Sequence, residues 1–323
     1  MVKKINLEEV KMKTVRLTPE NDLNKEINAL TGPAEVILSK GIYRQKTKIR
    51  ANGVTIIGES RDETVITYDD YARKIHADGQ EYNTFRTYTL CVTGEGVTLK
   101  NLTVENSNTN PRERGQCVAL SVNAGNFYAE NVNLISTQDT LFLYPFPDDL
   151  VTRYSGFIPQ DELYREGGSL HLFENCRISG TVDFIFGCAE AYFRRCEIVS
   201  AYDDRHVGFV AAPAHSLKQE RGFCFSECAF VNGGADCGSV FLARPWRDYG
   251  KCIFLNCRAE GHISPLLFDK WNDTGRDKTA RFGYYGLDCA FTPAPVEWGR
   301  ELSGDEARLI INNVDAHFTA NKR

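Results

Sequence analysis

The sequence has no long apolar run and no excess of basic charge. No stretch approaches about 18 uninterrupted apolar residues, the length that a membrane-spanning helix needs, so we expect no membrane partner. The 38 Lys and Arg residues are outnumbered by 43 Asp and Glu residues, the net charge is −5, and no long basic segment occurs. This balance argues against nucleic acid as a partner. An anionic polysaccharide stays open, because local arginines bind carboxylates whatever the total charge.

The sequence also lacks the marks of a secreted, disulfide-stabilised protein. The N-terminal stretch MVKKINLEEVKMKTVRL has lysines but no apolar core of a signal peptide. Most of the 11 cysteines stand at apolar positions of repeated segments, such as Cys176 in ENCRI and Cys196 in RRCEI, so we expect buried thiols without disulfides. Cys224 and Cys228 lack the spacing and the histidines of a zinc site. These features predict a cytoplasmic protein, although a secreted protein that has lost its signal peptide would have the same residues.

One type of segment recurs through the middle of the chain. It alternates apolar with polar residues, is rich in Val, Ile, Phe and Thr, and ends in a turn. It occupies residues 54–60, 97–107, 127–137, 170–180, 191–200, 223–232 and 252–261. The turn positions are 30, 44, 20, 32 and 29 residues apart and are occupied by Asn101, Asn131, Asn175, Arg195, Glu227 and Asn256.

This repeat determines the predicted fold. A period of roughly 20–50 residues indicates a solenoid, and the alternation of apolar and polar residues excludes pairs of helices. We therefore predict an all-β fold, a right-handed parallel β-helix, as a single domain over residues 1–323. In such a fold the inward side chains of successive coils stack in columns, and we expect asparagines at the turns to form ladders.

The two ends of the chain have helical patterns in place of the repeat. Residues 20–30 are predicted to form a short helix capped by Asn21 or Asp22. A C-terminal cap is expected over residues 298–323, with a helix whose pattern centres on Ala307, Leu309 and Ile310. Both segments would cover the open ends of the solenoid, where a repeat has no neighbour to pack against.

The step of 44 residues is too long for one coil. It contains residues 143–168, which hold three prolines and five aromatic residues. We predict that this segment is an inserted, protruding loop beside the functional cleft, since loops of this length are often functional.

Polar residues in otherwise apolar segments are the candidates for function, because buried polar groups need a partner or a role. Asp183 stands within Val-Asp-Phe-Ile-Phe with no charged neighbour in sequence, so its carboxylate must be paired or functional. Arg244 is a candidate partner, since a guanidinium group binds a carboxylate through two parallel hydrogen bonds. The further candidates are Gln116, Gln138, Asp139 and Trp246.

Each candidate has a simpler interpretation when it is taken alone. Asp139 fits an ordinary turn residue, and Gln116 and Gln138 fit hydrogen-bonded ladder amides. Trp246 fits a packing residue, and the pairing of Arg244 with an aspartate fits a structural ion pair. Two carboxylates, two amides, one arginine and one tryptophan on the same repeat favour a functional site.

Five short motifs are spread along the chain. GTVDFIFG stands at 180–187 and QDTL at 138–141, and residues 116–120 have the pattern Q-x-x-A-L. Residues 242–246 match L-G-R-P-W apart from Ala243, and residues 41–45 match G-x-Y-x-E apart from Gln45, which we expect to affect packing only. With these motifs in their order along the sequence, the chain resembles the pectinesterase family, also called carbohydrate esterase family 8, over approximately residues 20 to 320.

The resemblance implies hydrolysis of the methyl esters of galacturonate residues in pectin or pectic oligosaccharides, with release of methanol. It implies that Asp183 is the nucleophile and that Asp139 is the general acid and then the general base. It also implies that Gln116 stabilises the oxyanion with help from Gln138, and that Arg244 keeps Asp183 ionised and oriented. No metal and no organic cofactor are needed for this chemistry, and we expect a monomer.

The resemblance further implies aromatic contacts with the sugar. Trp246 and Phe186 match aromatic residues of the family's cleft. The family's G-W-x-x-W stretch is present only in part, as residues 267–271, and of its two tryptophans Trp271 remains. The segment 143–168 is much shorter in a typical member, and we expect it to form a wall of the cleft.

Other activities remain as alternatives at this point. A pectate lyase or a polygalacturonase would use the same β-helix, but lyases need acidic calcium ligands with a basic proton abstractor. Polygalacturonases carry paired aspartates with a G-H-G segment, and this chain has only Gly261-His-Ile. A non-catalytic carbohydrate-binding β-helix would not need both Asp139 and Asp183 beside two glutamines. Esterase action on a different uronate or acyl ester also remains open.

Overall fold

In the computed structural model, residues 12–164 and 168–319 are described, and their strands form three parallel sheets. Residues 1–11 of the predicted N-terminal stretch, 165–167 of the predicted insertion and 320–323 of the predicted C-terminal cap lie outside the described residues. We number strands and helices in chain order.

The first sheet has eleven parallel strands. They are β1 (Lys13–Leu17), β2 (Ala34–Leu38), β5 (Val54–Gly58), β8 (Val97–Lys100), β11 (Asn126–Glu130), β14 (Leu170–Glu174), β17 (Glu190–Arg194), β20 (Phe223–Ser226), β23 (Lys251–Leu255), β25 (Arg281–Tyr285) and β27 (Arg300–Glu301).

The second sheet has nine parallel strands. They are β3 (Gly41–Arg44), β6 (Thr64–Tyr68), β9 (Thr103–Asn106), β12 (Asn133–Ile135), β15 (Arg177–Gly180), β18 (Glu197–Ala201), β21 (Ala229–Gly233), β24 (Arg258–Ala259) and β26 (Asp288–Cys289).

The third sheet has seven parallel strands and carries the site described below. They are β4 (Thr47–Ile49), β7 (Leu90–Val92), β10 (Leu120–Val122), β13 (Leu141–Leu143), β16 (Val182–Gly187), β19 (Gly208–Pro213) and β22 (Val240–Ala243). From β5 to β24 the chain visits the first, second and third sheets in turn, so each circuit is one coil of the predicted parallel β-helix, which is confirmed.

The repeat positions found in the sequence are the corners between the first and second sheets. All six adopt the left-handed backbone region, with φ between 51° and 55°. A single residue in this region turns the chain sharply, and asparagine tolerates it better than most residues. Each repeated segment from 97–107 onward is therefore two strands joined at a corner. The predicted ladder is present where Asn131 Nδ2 donates to Asn101 Oδ1 at 2.8 Å and Asn101 Nδ2 donates to the Gly58 carbonyl at 2.8 Å.

The interior of the solenoid consists of columns of identical or similar side chains. Phe173, Phe193, Phe225 and Phe254 occupy paired positions in four successive strands, with ring centroids 5.0, 4.5 and 5.1 Å apart. Each such pair contributes about 0.5–1.5 kcal/mol beyond its buried area. The 11 cysteines are free thiols and nine are buried, which agrees with the prediction of buried thiols; Cys237 is an exception and is exposed.

The N-terminal helix packs beside β4 and closes the first coils, whereas the C-terminal helix lies on the outer face of the first sheet, across β14, β17, β20 and β23, and does not cover the open end as predicted. Helix α1 (Leu23–Asn28) begins after Asp22, whose Oδ1 accepts from the Lys25 backbone N–H at 3.1 Å. The side chain of Gln45 accepts from the Leu23 backbone N–H at 2.9 Å, so it caps the same helix and has the packing role expected for it. Helix α5 (Gly304–Thr319) buries Ala307 and Val314 beside the first sheet, whereas Leu309 faces solvent and does not belong to the apolar side of this helix.

Within the insertion 143–168, the described residues form two short helices instead of the predicted loop. They are α3 (Asp148–Arg153) and α4 (Gln160–Leu163), and another short helix, α2 (Pro111–Arg114), precedes β10. Aromatic and aliphatic side chains of the insertion pack on outward side chains of the third sheet. The cluster consists of Phe85, Val118, Phe142, Tyr144, Phe146, Leu150, Tyr154, Ile158, Leu163, Phe186 and Ala212. Burial of this apolar surface holds the insertion on the sheet that carries the site.

Ion pairs fasten both helices of the insertion to the solenoid. The Nζ atom of Lys48, in β4, lies 2.7 Å from Glu162 Oε1 and 2.6 Å from Asp161 Oδ2. The side chains of Lys48 and Glu162 are only 7% and 3% exposed, so this pair is buried. Arg247 binds both carboxylate oxygens of Asp149 at 3.0 and 2.7 Å.

Replacing Lys48 with Met should loosen the insertion, because it leaves the buried Glu162 carboxylate without its cation. Removing one partner of a buried ion pair costs about 3–5 kcal/mol. We expect faster limited proteolysis within 143–168 and a lower urea midpoint. The double variant Lys48→Met with Glu162→Leu should recover most of the loss; a single variant with wild-type proteolysis and midpoint would contradict this role of the pair.

Candidate active site

The candidate residues come together on the third sheet because successive coils stack. Gln116 precedes β10, Gln138 and Asp139 precede β13, Asp183 lies in β16, and Arg244 follows β22. Strands β10, β13, β16, β19 and β22 are consecutive neighbours in that sheet. Residues up to 128 positions apart in sequence are thus brought to one surface by the parallel pairing.

Both aspartates have an unusual backbone conformation. Asp139 has φ 65° and Asp183 has φ 49°, in the left-handed region. The register between β16 and β19 shifts between Val182 and Ile185, so β16 is irregular at Asp183. Bulges of this kind redirect a side chain, and strained residues concentrate at functional sites.

Asp183 and Arg244 form the predicted bidentate pair. Arg244 Nε donates to Asp183 Oδ1 at 2.7 Å, and Arg244 Nη2 donates to Asp183 Oδ2 at 2.6 Å. The guanidinium group lies between two rings, 3.6 Å from the centroid of Phe209 and 4.0 Å from that of Trp271. Both the hydrogen bonds and the stacking fix this guanidinium group, and with it the carboxylate.

The two aspartates differ in their protonation. Burial and the neighbouring Asp183 carboxylate raise the pKa of Asp139 well above its ordinary value, and a hydrogen bond from Gln138 opposes this only in part. Burial also raises the pKa of Asp183, but Arg244 lowers it, so the rise is smaller. The arrangement therefore favours a protonated Asp139 beside an ionised Asp183.

The two glutamines have different surroundings. Among the described residues, the side-chain amide of Gln116 has no hydrogen-bond partner, so its NH2 group is available to a ligand in the cavity. The Oε1 atom of Gln138 instead accepts from Arg205 Nη1 at 2.9 Å. Sequence reasoning missed Arg205; its only sequence signal is the run of charged residues 203–205 in the turn before β19.

A cavity of about 220 Å³ joins these groups. Seven of the eight predicted site residues line it, namely Gln116, Gln138, Asp139, Asp183, Phe186, Trp246 and Trp271. Arg244 is the eighth and lies behind Asp183, to which it is bonded. The walls also contain residues that the sequence did not single out, which are Thr84, Phe85, Leu150, Arg153, Tyr154, Ala212 and Arg247. Three of these, Leu150, Arg153 and Tyr154, belong to the insertion, which thus forms one wall.

Within residues 12–164 and 168–319, the chain offers neither a cluster of metal ligands nor a helix that could span a membrane. No group of three or more His, Cys, Asp or Glu side chains there is placed so that it could hold a metal ion. Nor does any helix in that part of the chain have the length and apolar character needed to cross a membrane.

The side chains that line the cavity determine which reaction steps it can support. An ionised carboxylate can attack a carbonyl carbon, and a protonated carboxyl group 44 residues earlier in the chain can supply a proton to a leaving group. An amide NH2 group beside them can stabilise an oxyanion. Aromatic walls suit the apolar faces of sugar rings.

Comparison with known proteins places the chain in a family. A family model described as pectinesterase matches residues 13–146 and 150–296. Pectinesterase 31 of Arabidopsis thaliana is 30% identical over 288 residues, which are 85% of this chain and 80% of that protein. Pectinesterase QRT1 of the same plant is 28% identical over 86% of this chain and 68% of its own length.

Solved structures agree in fold. Pectin methylesterase from carrot superposes with a TM-score of 0.78 over 98% of both chains at 19% identity. Pectin methylesterase from Yersinia enterocolitica superposes with a TM-score of 0.75 over 88% of this chain and 95% of its own, at 24% identity. At these identities the likeness shows the fold alone. The matched family model and the plant relative, taken with the stacked coils and the cavity, show that the chain belongs to the pectinesterase family.

Proposed function

We propose that this chain hydrolyses the methyl esters of galacturonate residues in pectin or pectic oligosaccharides, with Asp183 as nucleophile and Asp139 as proton carrier. The observation that carries the proposal is the pair of aspartates in one cavity, of which one is bound by Arg244 and the other has a pKa raised by burial. Membership of the pectinesterase family supports it.

The first half of the reaction forms a covalent intermediate. An Asp183 oxygen attacks the ester carbonyl carbon, and the amide of Gln116 donates to the oxyanion that develops. The bond between this carbon and the methoxy oxygen then breaks, and Asp139 gives its proton to that oxygen, so methanol leaves. The galacturonyl group remains attached to Asp183 as a mixed anhydride.

The second half restores the enzyme. Asp139, now ionised, takes a proton from water, and the hydroxide attacks the galacturonyl carbon. Asp183 leaves as a carboxylate that Arg244 stabilises through its two hydrogen bonds. The product is a free galacturonate carboxyl group, and Asp139 is protonated again for the next turnover.

Aromatic side chains would hold the sugar ring. Phe186 and Trp246 lie with ring centroids 5.7 Å apart and at 72° to each other, on the cavity wall next to Asp183. Trp271 stacks on the Arg244 guanidinium group, so its ring also stabilises the cation that orients the nucleophile. Its role is thus divided between the sugar and the ion pair.

We also propose that the protein is cytoplasmic and monomeric. The free thiols, nine of them buried, support a reducing cytoplasm, where the substrates would be methylated oligogalacturonides and not cell wall. A monomer is supported by the scatter of exposed large apolar side chains over different strands, turns and helices.

The wall formed by the insertion should favour short substrates, because it narrows access to the two aspartates from one side. We expect a higher kcat/KM for methanol release on methylated oligogalacturonides than on polymeric pectin of equal methyl content. Assaying both substrates under identical conditions gives the ratio. A ratio that favours the polymer would remove this role of the insertion.

Substitution of each aspartate tests its role. Asp183→Ala should abolish methanol release, because no other group in the described cavity lies in the place of the nucleophile. Asp139→Asn should be slower by about 100-fold or more, since general acid–base catalysis contributes that much. Both variants should keep the far-ultraviolet circular dichroism of the wild type. Full activity in the first variant, or a near-normal rate in the second, would exclude the assigned role.

The pH dependence of kcat/KM should be bell-shaped. Activity needs Asp183 ionised, so it falls as the pH drops through the pKa of Asp183, which lies above the ordinary aspartate value. Activity also needs Asp139 protonated, so it falls as the pH rises through the much higher pKa of Asp139. Because the two aspartates titrate as a coupled pair, the acid and alkaline limbs of the profile report pKa values of the pair and not of either residue alone. A profile with no alkaline limb would argue against Asp139 as the acid.

A further inference from the structure

Arg205 contacts the proposed catalytic machinery although none of the motifs contains it. It lies in the turn between β18 and β19, and its Nη1 atom donates to Gln138 Oε1 at 2.9 Å. Because a guanidinium group has only donors, it can bind the oxygen of the Gln138 amide but not the nitrogen. The contact therefore settles which way the amide points.

The rest of the Arg205 side chain is fixed by one carboxylate. Its Nε and Nη2 atoms donate to Asp203 Oδ1 and Oδ2 at 2.6 and 2.5 Å, and its own backbone N–H donates to Asp203 Oδ1 at 2.9 Å. The Asp203 side chain is 4% exposed. Burial alone would raise the pKa of Asp203, but these hydrogen bonds hold it below its ordinary value, so the pair stays charged. Arg205 is thus held rigidly where it meets Gln138.

The other end of the Gln138 amide faces the proton carrier. With Oε1 bound to Arg205, the NH2 group lies on the opposite side, and its hydrogen bond to Asp139 lowers the pKa of that carboxyl. We propose that Arg205 is a positioning residue, which fixes the Gln138 amide with its NH2 group toward Asp139 and adds a second cation beside the aspartate pair. This inference rests on the proposed function of the pair.

The cation acts on both aspartates at once. The charge of Arg205 lowers the pKa of Asp139 and of Asp183, in addition to the effect of Arg244 on each. Among the other charged groups, Asp183 raises the pKa of Asp139 and Asp269 raises that of Asp183, while Arg153 and Arg247 line the same cavity. Removing the Arg205 charge must therefore move the protonation of both aspartates in the same direction, to higher pH.

A purely structural ion pair would behave differently. Asp203 and Arg205 could simply stabilise the turn before β19, as many such pairs do. Loss of a structural pair lowers stability or the active fraction without moving the limbs of a pH profile. A positioning role of Arg205 is therefore distinguished from a structural role by two measurements. They are the pH values of the two limbs of the profile and the energetic coupling between Arg205 and Gln138.

The test compares Arg205→Gln with Arg205→Lys in methanol release from methylated oligogalacturonides across pH. For Arg205→Gln we expect kcat to fall about 10-fold, since misplaced groups are costly, with KM within about twofold of the wild type. Both limbs should move to higher pH by roughly half a unit. Arg205→Lys keeps the charge but cannot bridge Asp203 and Gln138, so its kcat should fall while its limbs stay in place.

Two controls complete this design. Arg112→Gln removes an arginine that pairs with the neighbouring Asp204 at 3.1 Å on the surface, and it should leave both kcat and the limbs unchanged. In a Gln138→Leu background, Arg205→Gln should cause little further loss of kcat, because both changes remove the same contact. Additive losses would overturn the route through Gln138.

A measurement on the substrate-free protein tests the role of Arg205 independently of the proposed catalytic function. Titration of the Asp139 and Asp183 side-chain carboxyl signals by carbon-13 NMR in the substrate-free protein should show both moving to higher pH in Arg205→Gln. Unchanged titration together with a kcat within twofold of the wild type would overturn the role of Arg205. A wild type that releases no methanol would overturn the proposed function alone, since the titration reports Arg205 independently.

Discussion

The bidentate bond between Arg244 and Asp183 is the interaction on which the rest of the site depends. A carboxylate with a side chain 12% exposed would take up a proton unless a cation offset the loss of water. Arg244 supplies that cation and is itself fixed between Phe209 and Trp271. The charge kept on Asp183 then helps to hold Asp139 protonated, because two close carboxylates resist ionising together. One ion pair thus sets the opposite states of the two aspartates.

The solenoid makes this arrangement possible because it brings residues that are far apart in the sequence close together in space. Each coil crosses the third sheet once, so strands β10, β13, β16, β19 and β22 each bring one turn to the same surface. Columns of stacked Phe side chains and corners in the left-handed region keep the coils in register. A rigid stack of this kind positions side chains more reliably than long loops do. The insertion adds the variable part, an aromatic wall fastened by Lys48 and Arg247.

The sequence predicts those features of the fold and of the site whose residues have positions determined by the repeat. The corners, the apolar columns and the pairing of Asp183 with Arg244 follow from the repeat and from the cost of burying a lone charge, and all were predicted. The helices of the insertion were not, because segments of six and four residues are too short to show a helical period. The contact of Arg205 with Gln138 joins turns 67 residues apart whose shapes the repeat does not constrain. Contacts between such turns are visible only in the structure.

The most direct test of the account is the stoichiometry of one reaction. The wild-type protein is incubated with a methylated oligogalacturonide of defined length, and methanol, free carboxyl groups and chain length are quantified together. The account predicts one new carboxyl group for each methanol released, with the chain length unchanged. Shortened chains or unsaturated ends without methanol would contradict it and point to a hydrolase or lyase of the galacturonate backbone.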